Sequence, residues 1–277
     1  MSKLRVNTLG TPDDAFSVDI KDIASVTNAP GVIGSVRNAK MSIPAVSSTA
    51  TYTADELIVQ TAIGGRQYKL TGFNKSINLS NSGVGGMDTG NVPTAGYVAI
   101  YAIYNPTSSV SALLAVNASS VMAPEAYGGV NMPAGYEASA LVSVWGIAAS
   151  KFVVGYQSGR HISIISTQFY NTTGYELSYA AASLVTLVPP NGKKANVQIS
   201  ASQITPNSAI QFNLASTPQG VGSIFANVST VTGGGVSTVS NTGGYGELDI
   251  TGAQTLYFKM ANTVAGTYSI TCGGYTI

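Results

Sequence analysis

Tyr97-Val-Ala-Ile-Tyr-Ala-Ile-Tyr104 is the stretch of sequence that decides the fold class. Every position in it is apolar or aromatic, so both faces of an extended chain would be hydrophobic here. A strand of this kind is typical of the middle of a sheet, where both faces are covered. The stretch therefore predicts a central strand in a β-rich core.

Shorter segments with strand character surround this central stretch. Leu256, Phe258 and Met260 share one face of an extended segment, and Lys259 points to the other face. Further strands are predicted at Glu56–Ala62, Tyr68–Phe73, Ala112–Val116, Ala138–Trp145, Lys151–Tyr156, Ile162–Ile165, Leu184–Val188, Val197–Ser200, Ala209–Leu214, Ser223–Val228 and Tyr268–Cys272. Only Ser178–Ser183 has the composition of a short helix. The pattern favours an all-β fold, an antiparallel, jelly-roll-like β-sandwich.

The composition excludes several classes of protein. Of the 277 residues only 9% are charged, against about 25% in an average soluble protein. With 13 basic and 12 acidic side chains, the net charge of +1 offers no concentrated basic face, so we expect no nucleic-acid partner. A coiled coil would need far more charged residues. No apolar run reaches the roughly 20 residues of a membrane-spanning helix, so we expect no membrane span.

The beginning of the chain predicts a small β-hairpin. Two segments of alternating polarity flank the turn sequence Thr11-Pro-Asp-Asp14. A hairpin of this size buries too little apolar surface to be stable alone, so we expect it to dock on a partner protein. The residues expected to make that contact are Leu4, Arg5, Val6, Phe16, Val18 and Ile20.

A flexible break follows the hairpin and suggests the domain boundary. Asn28-Ala-Pro-Gly-Val-Ile-Gly34 combines proline and glycine in the manner of a linker. We therefore assign residues 1–40 to an attachment segment with its linker and residues 41–277 to the β-sandwich. A division of the sandwich into two lobes near residue 160 is a further option.

Parts of the sequence resemble a known group of proteins. Lys3-Leu-Arg-Val-Asn-Thr-Leu9, followed by Val18-Asp-Ile20, resembles the virion-attachment segment at the start of many tailed-phage fibre proteins. The segments Gly96–Pro106, Ser111–Ala115, Pro133–Tyr136 and Ala140–Val144 resemble the β-rich domain of phage tail or fibre structural proteins. The resemblance implies a virion structural protein, usually a trimer, that is attached to the tail or head by its N-terminal segment.

From this resemblance we expect a non-enzymatic tail-fibre or fibre-adaptor subunit, assembled in the host bacterial cytoplasm and located in the virion. Its expected partners are other copies of itself in a homotrimer and other virion proteins of the tail, portal adaptor or capsid. A capsid decoration or head-fibre protein is one alternative, because it would have the same composition. A carbohydrate-binding receptor module is another, with a host surface glycan as its partner.

The sequence offers little material for catalysis or metal binding. His161 is the only histidine and Cys272 the only cysteine, so a zinc site lacks ligands and no intramolecular disulfide can form. Glu247 and Asp249 are spaced like paired carboxylates on one face of a strand, but solvated charges on a strand edge are the simpler interpretation. A calcium site on loop oxygens stays open. We therefore expect no catalytic residue and no cofactor.

The fifteen tyrosines support the carbohydrate-binding alternative. Exposed aromatic rings with Asn and Ser neighbours stack against sugar rings. Tyr170-Asn-Thr-Thr-Gly-Tyr175 is the preferred loop for such a contact, through Tyr170 and Tyr175. The opposing interpretation is that tyrosine is amphipathic and commonly half-buried on β-surfaces and at subunit interfaces.

Overall fold

The computed structural model describes residues 8–10, 17–19, 31–203, 205, 207–233, 236–264 and 266–277. All regular secondary structure in these ranges is β-strand, which confirms the predicted all-β class. The strands are β1 (Thr8–Gly10), β2 (Ser17–Asp19), β3 (Val36–Arg37), β4 (Lys40–Ile43), β5 (Thr49–Gln60), β6 (Gln67–Asn78), β7 (Ala95–Asn105), β8 (Val110–Asn117), β9 (Ala138–Ala148), β10 (Lys151–Phe152), β11 (Gly155–Ser158), β12 (His161–Thr172), β13 (Ala180–Ser183), β14 (Lys194–Ser202), β15 (Ser208–Ala215), β16 (Ile224–Gly233), β17 (Val236–Thr242), β18 (Gly244–Asp249), β19 (Thr255–Met260) and β20 (Thr267–Thr276). Within these ranges, no helix is long and apolar enough to cross a bilayer.

The strands form one large sheet, one smaller sheet and one separate hairpin. The large sheet has 13 strands in the order β18-β14-β20-β12-β11-β4-β5-β9-β7-β8, with β3 and β6 also on β5 and β10 on β9. The smaller sheet has five strands in the order β13-β19-β15-β16-β17. Neighbouring strands pair antiparallel throughout, and β14 contacts β15 and β16 across the two sheets. This arrangement is consistent with a β-sandwich.

The central stretch of the sequence occupies the position predicted for it. β7 lies between β8 and β9, and its residues from Tyr97 to Ile103 are all buried. Trp145 on β9 is fully buried, and its indole N–H donates a hydrogen bond to the carbonyl of Val153 at 2.9 Å. The buried tryptophan and the apolar faces of β7 together form the core of this part of the molecule.

A glycine-rich loop closes the gap between β6 and β8. The amide of Asn78 at the end of β6 donates to the carbonyl of Gly85 at 2.8 Å. The amide of Gly85 in turn donates to Leu113 of β8 at 2.9 Å, and the amide of Ala115 donates to Gly86 at 2.8 Å. The loop therefore covers strand edges that would otherwise offer unpaired backbone groups to other chains.

Three local predictions are wrong. Ser178–Ser183 contains no helix, because Ala180–Ser183 forms β13 and pairs with β19. Leu184–Val188 is a turn instead of a strand, in which the amides of Leu187 and Val188 both donate to the carbonyl of Leu184 at 2.9 Å. The predicted strand Lys151–Tyr156 is divided into β10 and the beginning of β11.

The hairpin at the beginning of the chain forms a sheet of its own. β1 pairs antiparallel with β2, with Leu9 opposite Val18, and neither strand joins the larger sheets. Of the expected contact residues, Val18 therefore lies in β2, and the other five lie outside the described residues, namely Leu4, Arg5, Val6, Phe16 and Ile20. β3 falls within the assigned segment 1–40 and pairs with β5. The domain division stays a prediction.

β20 joins β14 and β18 to the rest of the large sheet. It pairs with β12 on one side and with β14 on the other, over nearly its whole length. The register shifts on both sides at Gly273, where β12 places residues 164–166 opposite this single residue. Such a bulge bends a strand and interrupts its ladder locally. The halves of the molecule before and after β12 therefore share one continuous sheet.

Adjacent glycines in β20 allow a matched test of this close packing. A Cβ on Gly274 would lie 2.7 Å from the carbonyl oxygen of Ile162, whereas one on Gly273 would meet nothing closer than Ser166 at 3.9 Å. We expect Gly274→Ala to lower the free energy of unfolding by about 1–3 kcal/mol, since the neighbouring backbone must move. Gly273→Ala should change it by about 0.5 kcal/mol or less. Denaturant unfolding measures the free energy of unfolding of both variants. Equal unfolding midpoints would contradict the register of β20 with β12.

Candidate functional site

An apolar groove lies where the two halves of the molecule meet. Its cavity volume is about 650 Å³, within the range of about 300–1,000 Å³ that is common for binding sites. The walls come from the beginning of β7, the end of β9, the middle of β12 and the turn before β14. The residues that line it are uncharged, and most are aliphatic. The groove is therefore suited to an apolar occupant.

The bulge in β12 forms one wall of the groove. Residues 164–166 leave the ladder with β20, and Ile164 and Ile165 line the cavity. Ile165 is 66% exposed, which is unusual for a large aliphatic side chain on a strand. The turn at Leu184–Val188, where a strand is predicted, supplies another part of the wall through Val185 and Leu187. Sequence patterns give no sign of the groove, because two parts of its wall, the bulge and the turn, depart from regular strand structure.

Two buried tyrosines form the polar part of the groove wall. The hydroxyl of Tyr97 donates a hydrogen bond to the carbonyl of Val185 at 3.3 Å, and that of Tyr275 donates to Val144 at 2.8 Å. Burial raises the pKa of both phenols above the usual value, because the charged form would lose its hydration. Both hydroxyls thus stay protonated at neutral pH and donate to backbone carbonyls.

A second candidate is a chain of polar side chains around the only histidine. Nδ1 of His161 lies 3.1 Å from the hydroxyl oxygen of Thr276. That hydroxyl donates a hydrogen bond to the carboxylate Oε1 of Glu247 at 3.2 Å. Lys194 also donates to Glu247, at 3.2 Å. A catalytic triad places the imidazole between the nucleophile and the carboxylate, whereas here the threonine hydroxyl stands between them. The chain therefore joins neighbouring strands and lacks the geometry for activating Thr276 as a nucleophile.

Glu247 and Asp249 lie at the edge of the large sheet, in agreement with the interpretation that they are solvated charges on a strand edge. Glu247 and Asp249 are exposed on β18, which among the described strands is the end strand of the large sheet, next to β14. Glu247 is held by Lys194 and Thr276, and charges at a strand edge discourage pairing with other chains. In the described part of the chain, no group of three or more His, Cys, Asp or Glu side chains is placed to hold a metal ion.

An ion pair between Arg160 and Glu125 is a structural contact that the sequence analysis missed. The Nη2 group of Arg160 lies 2.9 and 2.8 Å from the two carboxylate oxygens of Glu125. The Nε group of Arg160 donates a hydrogen bond to the carbonyl of Ile277 at 3.1 Å. The Nζ group of Lys193 lies 3.8 Å from Oε1 of Glu125. These contacts fasten the long loop before β9 to the turn before β12. No sequence motif predicts this ion pair, because Arg160 and Glu125 are 35 residues apart in the chain.

The two tyrosines proposed for glycan binding have different environments. Tyr170 packs against Phe258, with ring centroids 4.3 Å apart, and burial raises the pKa of its phenol. Tyr175 lies in the segment after β12 and is 49% exposed. Tyr175 therefore offers more free ring surface to a ligand than Tyr170 does. The glycan contact itself stays a prediction.

No protein-family model matches the sequence, and none of the curated proteins is significantly similar to it.

The buried tyrosines predict a loss of stability at alkaline pH. Burial raises the pKa of Tyr52, Tyr97, Tyr101 and Tyr275, and burial with a hydrogen bond to Asp88 raises that of Tyr127 to about 12. Unfolded tyrosines ionise near pH 10, so the unfolded chain releases protons that the folded chain keeps. The contribution to stability is complete below about pH 10 and decreases as the pH rises toward the folded-state pKa values.

Denaturant unfolding at about pH 8 and about pH 11 measures this decrease. Tyr97→Phe removes one of the ionising groups and should show a smaller decrease between the two pH values than the wild-type chain. It should also be less stable at about pH 8, by about 1 kcal/mol, because the hydrogen bond to Val185 is lost. A wild-type free energy of unfolding that is the same at both pH values would contradict the prediction that the buried tyrosines have raised pKa values.

Proposed function

We propose that the chain is a non-enzymatic structural protein of a tailed-phage virion, a tail-fibre or fibre-adaptor subunit that forms a homotrimer. The observation that supports this most is the separate sheet of β1 and β2, which pairs with no strand of the larger sheets. An isolated two-stranded hairpin is marginally stable in water. Attachment to a neighbouring virion protein would supply the contacts that the other described strands of this chain do not provide through pairing.

Addition of strands to a partner sheet is the mode of attachment that we favour. In that mode backbone hydrogen bonds supply affinity and alternate side chains supply specificity. Leu9 and Val18 are cross-strand partners in the hairpin, and in the sequence Phe16 and Ile20 continue the apolar alternation on both sides of Val18. Residues 41–277 would then form the body of the subunit, a jelly-roll-like sandwich that associates with two further copies.

Low charge supports assembly into a larger particle. Charged residues make up 9% of the chain, and several large apolar side chains are exposed on its surface. Burying an uncharged face in an interface avoids the cost of removing ions from water. Interface centres are accordingly depleted in charge. The surface therefore suits a permanently associated subunit better than a monomer.

Removal of residues 1–25 tests the attachment. We expect the truncated chain to stay folded and oligomeric, because β3 to β20 form the two large sheets without the hairpin, and to be lost from purified particles. The measurement is incorporation in a complementation assay, by quantitative immunoblotting of particles. In a point variant of the full chain, Leu4→Asp with Val6→Asp should act like the truncation. Asp13→Asn with Asp14→Asn is the matched control and should incorporate normally.

Normal incorporation of the truncated chain would contradict the attachment. Imaging of particles that carry labelled full-length protein then locates the subunit. A label on the head would favour the decoration or head-fibre alternative, and a label on the tail would favour the fibre or adaptor.

A carbohydrate-binding module is a second candidate, favoured by the exposed ring of Tyr175. Tyr175→Ala should abolish binding on an array of host surface glycans, since aromatic stacking supplies much of such contacts, and should leave the unfolding midpoint unchanged. Tyr170→Ala should lower the midpoint, because the ring packs on Phe258 at 4.3 Å. Equal glycan binding by the wild type and Tyr175→Ala would contradict the role of this residue. Absence of wild-type binding would contradict the module.

A further inference from the structure

Asn191-Gly192 is the only place in the sequence where asparagine precedes glycine. In flexible peptides this dipeptide is especially prone to loss of the asparagine amide, because glycine has no side chain that hinders attack by its backbone nitrogen. In the folded chain, however, Asn191 is only 8% exposed and lies in the turn directly before β14. A chemically labile sequence is therefore placed at a buried position.

The backbone of a distant loop holds both polar atoms of the Asn191 side chain. Its Oδ1 accepts a hydrogen bond from the amide of Ala123 at 2.9 Å, and its Nδ2 donates to the carbonyl of Ala123 at 2.8 Å. Ala123 lies in the long loop between β8 and β9, 68 residues away in the chain. The side chain thus fastens this loop to the half of the molecule after β12.

The turn that contains Asn191 requires the glycine that makes it labile. The amide of Gly192 donates to the carbonyl of Pro189 at 2.8 Å, which closes a β-turn with Pro190 and Asn191 at its centre. A Cβ on Gly192 would collide with the side chain of Val188, so no larger residue fits there without displacing it. Tight packing after the turn therefore brings the labile dipeptide with it.

We infer that Asn191 is a modification site that the folded chain protects, and that its conversion to aspartate or isoaspartate unfastens the loop between β8 and β9. The inference goes beyond the proposed function and does not depend on it. It rests on the contacts of Asn191 and Gly192 and on the general chemistry of the peptide amide.

The reaction needs only the chain itself and water. The amide nitrogen of Gly192 gives its proton to water and forms a bond to Cγ of Asn191, which closes a cyclic succinimide. The bond between Cγ and Nδ2 breaks, and Nδ2 takes up a proton and leaves as ammonia. Water then opens the ring at either carbonyl carbon, so that the product is aspartate or isoaspartate.

The observed hydrogen bonds oppose the first step. The amide of Gly192 must release the proton that it donates to Pro189. Cγ of Asn191 must also turn towards that nitrogen, which breaks the two hydrogen bonds with Ala123. Both changes require local opening of the turn, and the free energy of that opening sets how much more slowly the folded chain reacts.

The product does not fit the contact with Ala123. A carboxylate has no donor for the Ala123 carbonyl, so two acceptor oxygens would face each other at a largely buried position. Isoaspartate in addition lengthens the backbone of the turn by a methylene group. The loop would keep the ion pair between Arg160 and Glu125 and lose its attachment at Ala123.

Comparison of the folded and the unfolded full-length chain tests the protection. Samples are kept at the same mildly alkaline pH with and without denaturant, and peptide mapping by mass spectrometry follows aspartate and isoaspartate at position 191. We expect the reaction to be at least about tenfold slower in the folded chain. Asn81 is exposed and precedes Ser82, so it serves as an internal reference whose rate should change less.

Two results of this comparison would overturn the inference. Equal rates at position 191 in the folded and the unfolded chain would show that the contacts with Ala123 and Pro189 give no protection. An unmodified position 191 in the unfolded chain, while Asn81 reacts, would show that the dipeptide is not a modification site.

Asn191→Asp in the full-length chain tests the consequence of the modification. We expect hydrogen exchange at the amide of Ala123 to become at least about tenfold faster and the unfolding midpoint to fall, because the buried carbonyl loses its donor. Asn81→Asp is the matched control. It makes the same change from amide to carboxylate at an exposed position and should leave both values as in the wild type.

Wild-type chain that is modified after folding gives the same comparison if Asn191→Asp fails to fold. Ion-exchange chromatography separates the modified chain by its additional negative charge, and hydrogen exchange is then measured on both fractions. Exchange at Ala123 that equals the wild-type rate in the modified chain would contradict the conclusion that the modification unfastens the loop.

Discussion

The pairing of β20 with both β12 and β14 is the interaction on which the rest of the structure depends. Without it, the strands before β12 and those after it would be two separate sheets with unpaired edges. Its end is fastened by side chains as well, because Tyr275 donates to Val144 and Arg160 donates to Ile277. A long-range pairing of this kind has a high cost in chain entropy, which the antiparallel ladder and the buried face of β20 offset.

The same pairing explains why the groove lies where it does. At Gly273 the ladder loses register on both sides, and residues 164–166 of β12 leave the ladder with β20, although Ile164 still pairs with Gly155 of β11. The groove is thus a consequence of joining the two halves of the molecule, and the tyrosines beneath it satisfy backbone carbonyls at the junction.

Local sequence predicts the strands better than it predicts how they meet. Tyr97–Tyr104 was predicted correctly because its two apolar faces require burial on both sides, whatever the neighbours are. Ser178–Ser183 was misjudged because alanine favours a helix locally, whereas pairing with β19, about 75 residues away, decides its conformation. The ion pair of Arg160 with Glu125 and the groove depend on such distant contacts too, and no spacing in the sequence records them. The attachment residues and the glycan contact stay predictions.

Low charge links the fold to the proposed assembly. A soluble monomer commonly relies on surface charge to prevent association, and this chain has little. It instead protects particular edges, with the loop at Gly85 on β8 and with Glu247 on β18. The apolar groove is lined by uncharged residues and has no such protection. A chain that covers or charges some of its strand edges restricts pairing with other chains at those edges, and the assembly that we propose would then form through its uncharged faces.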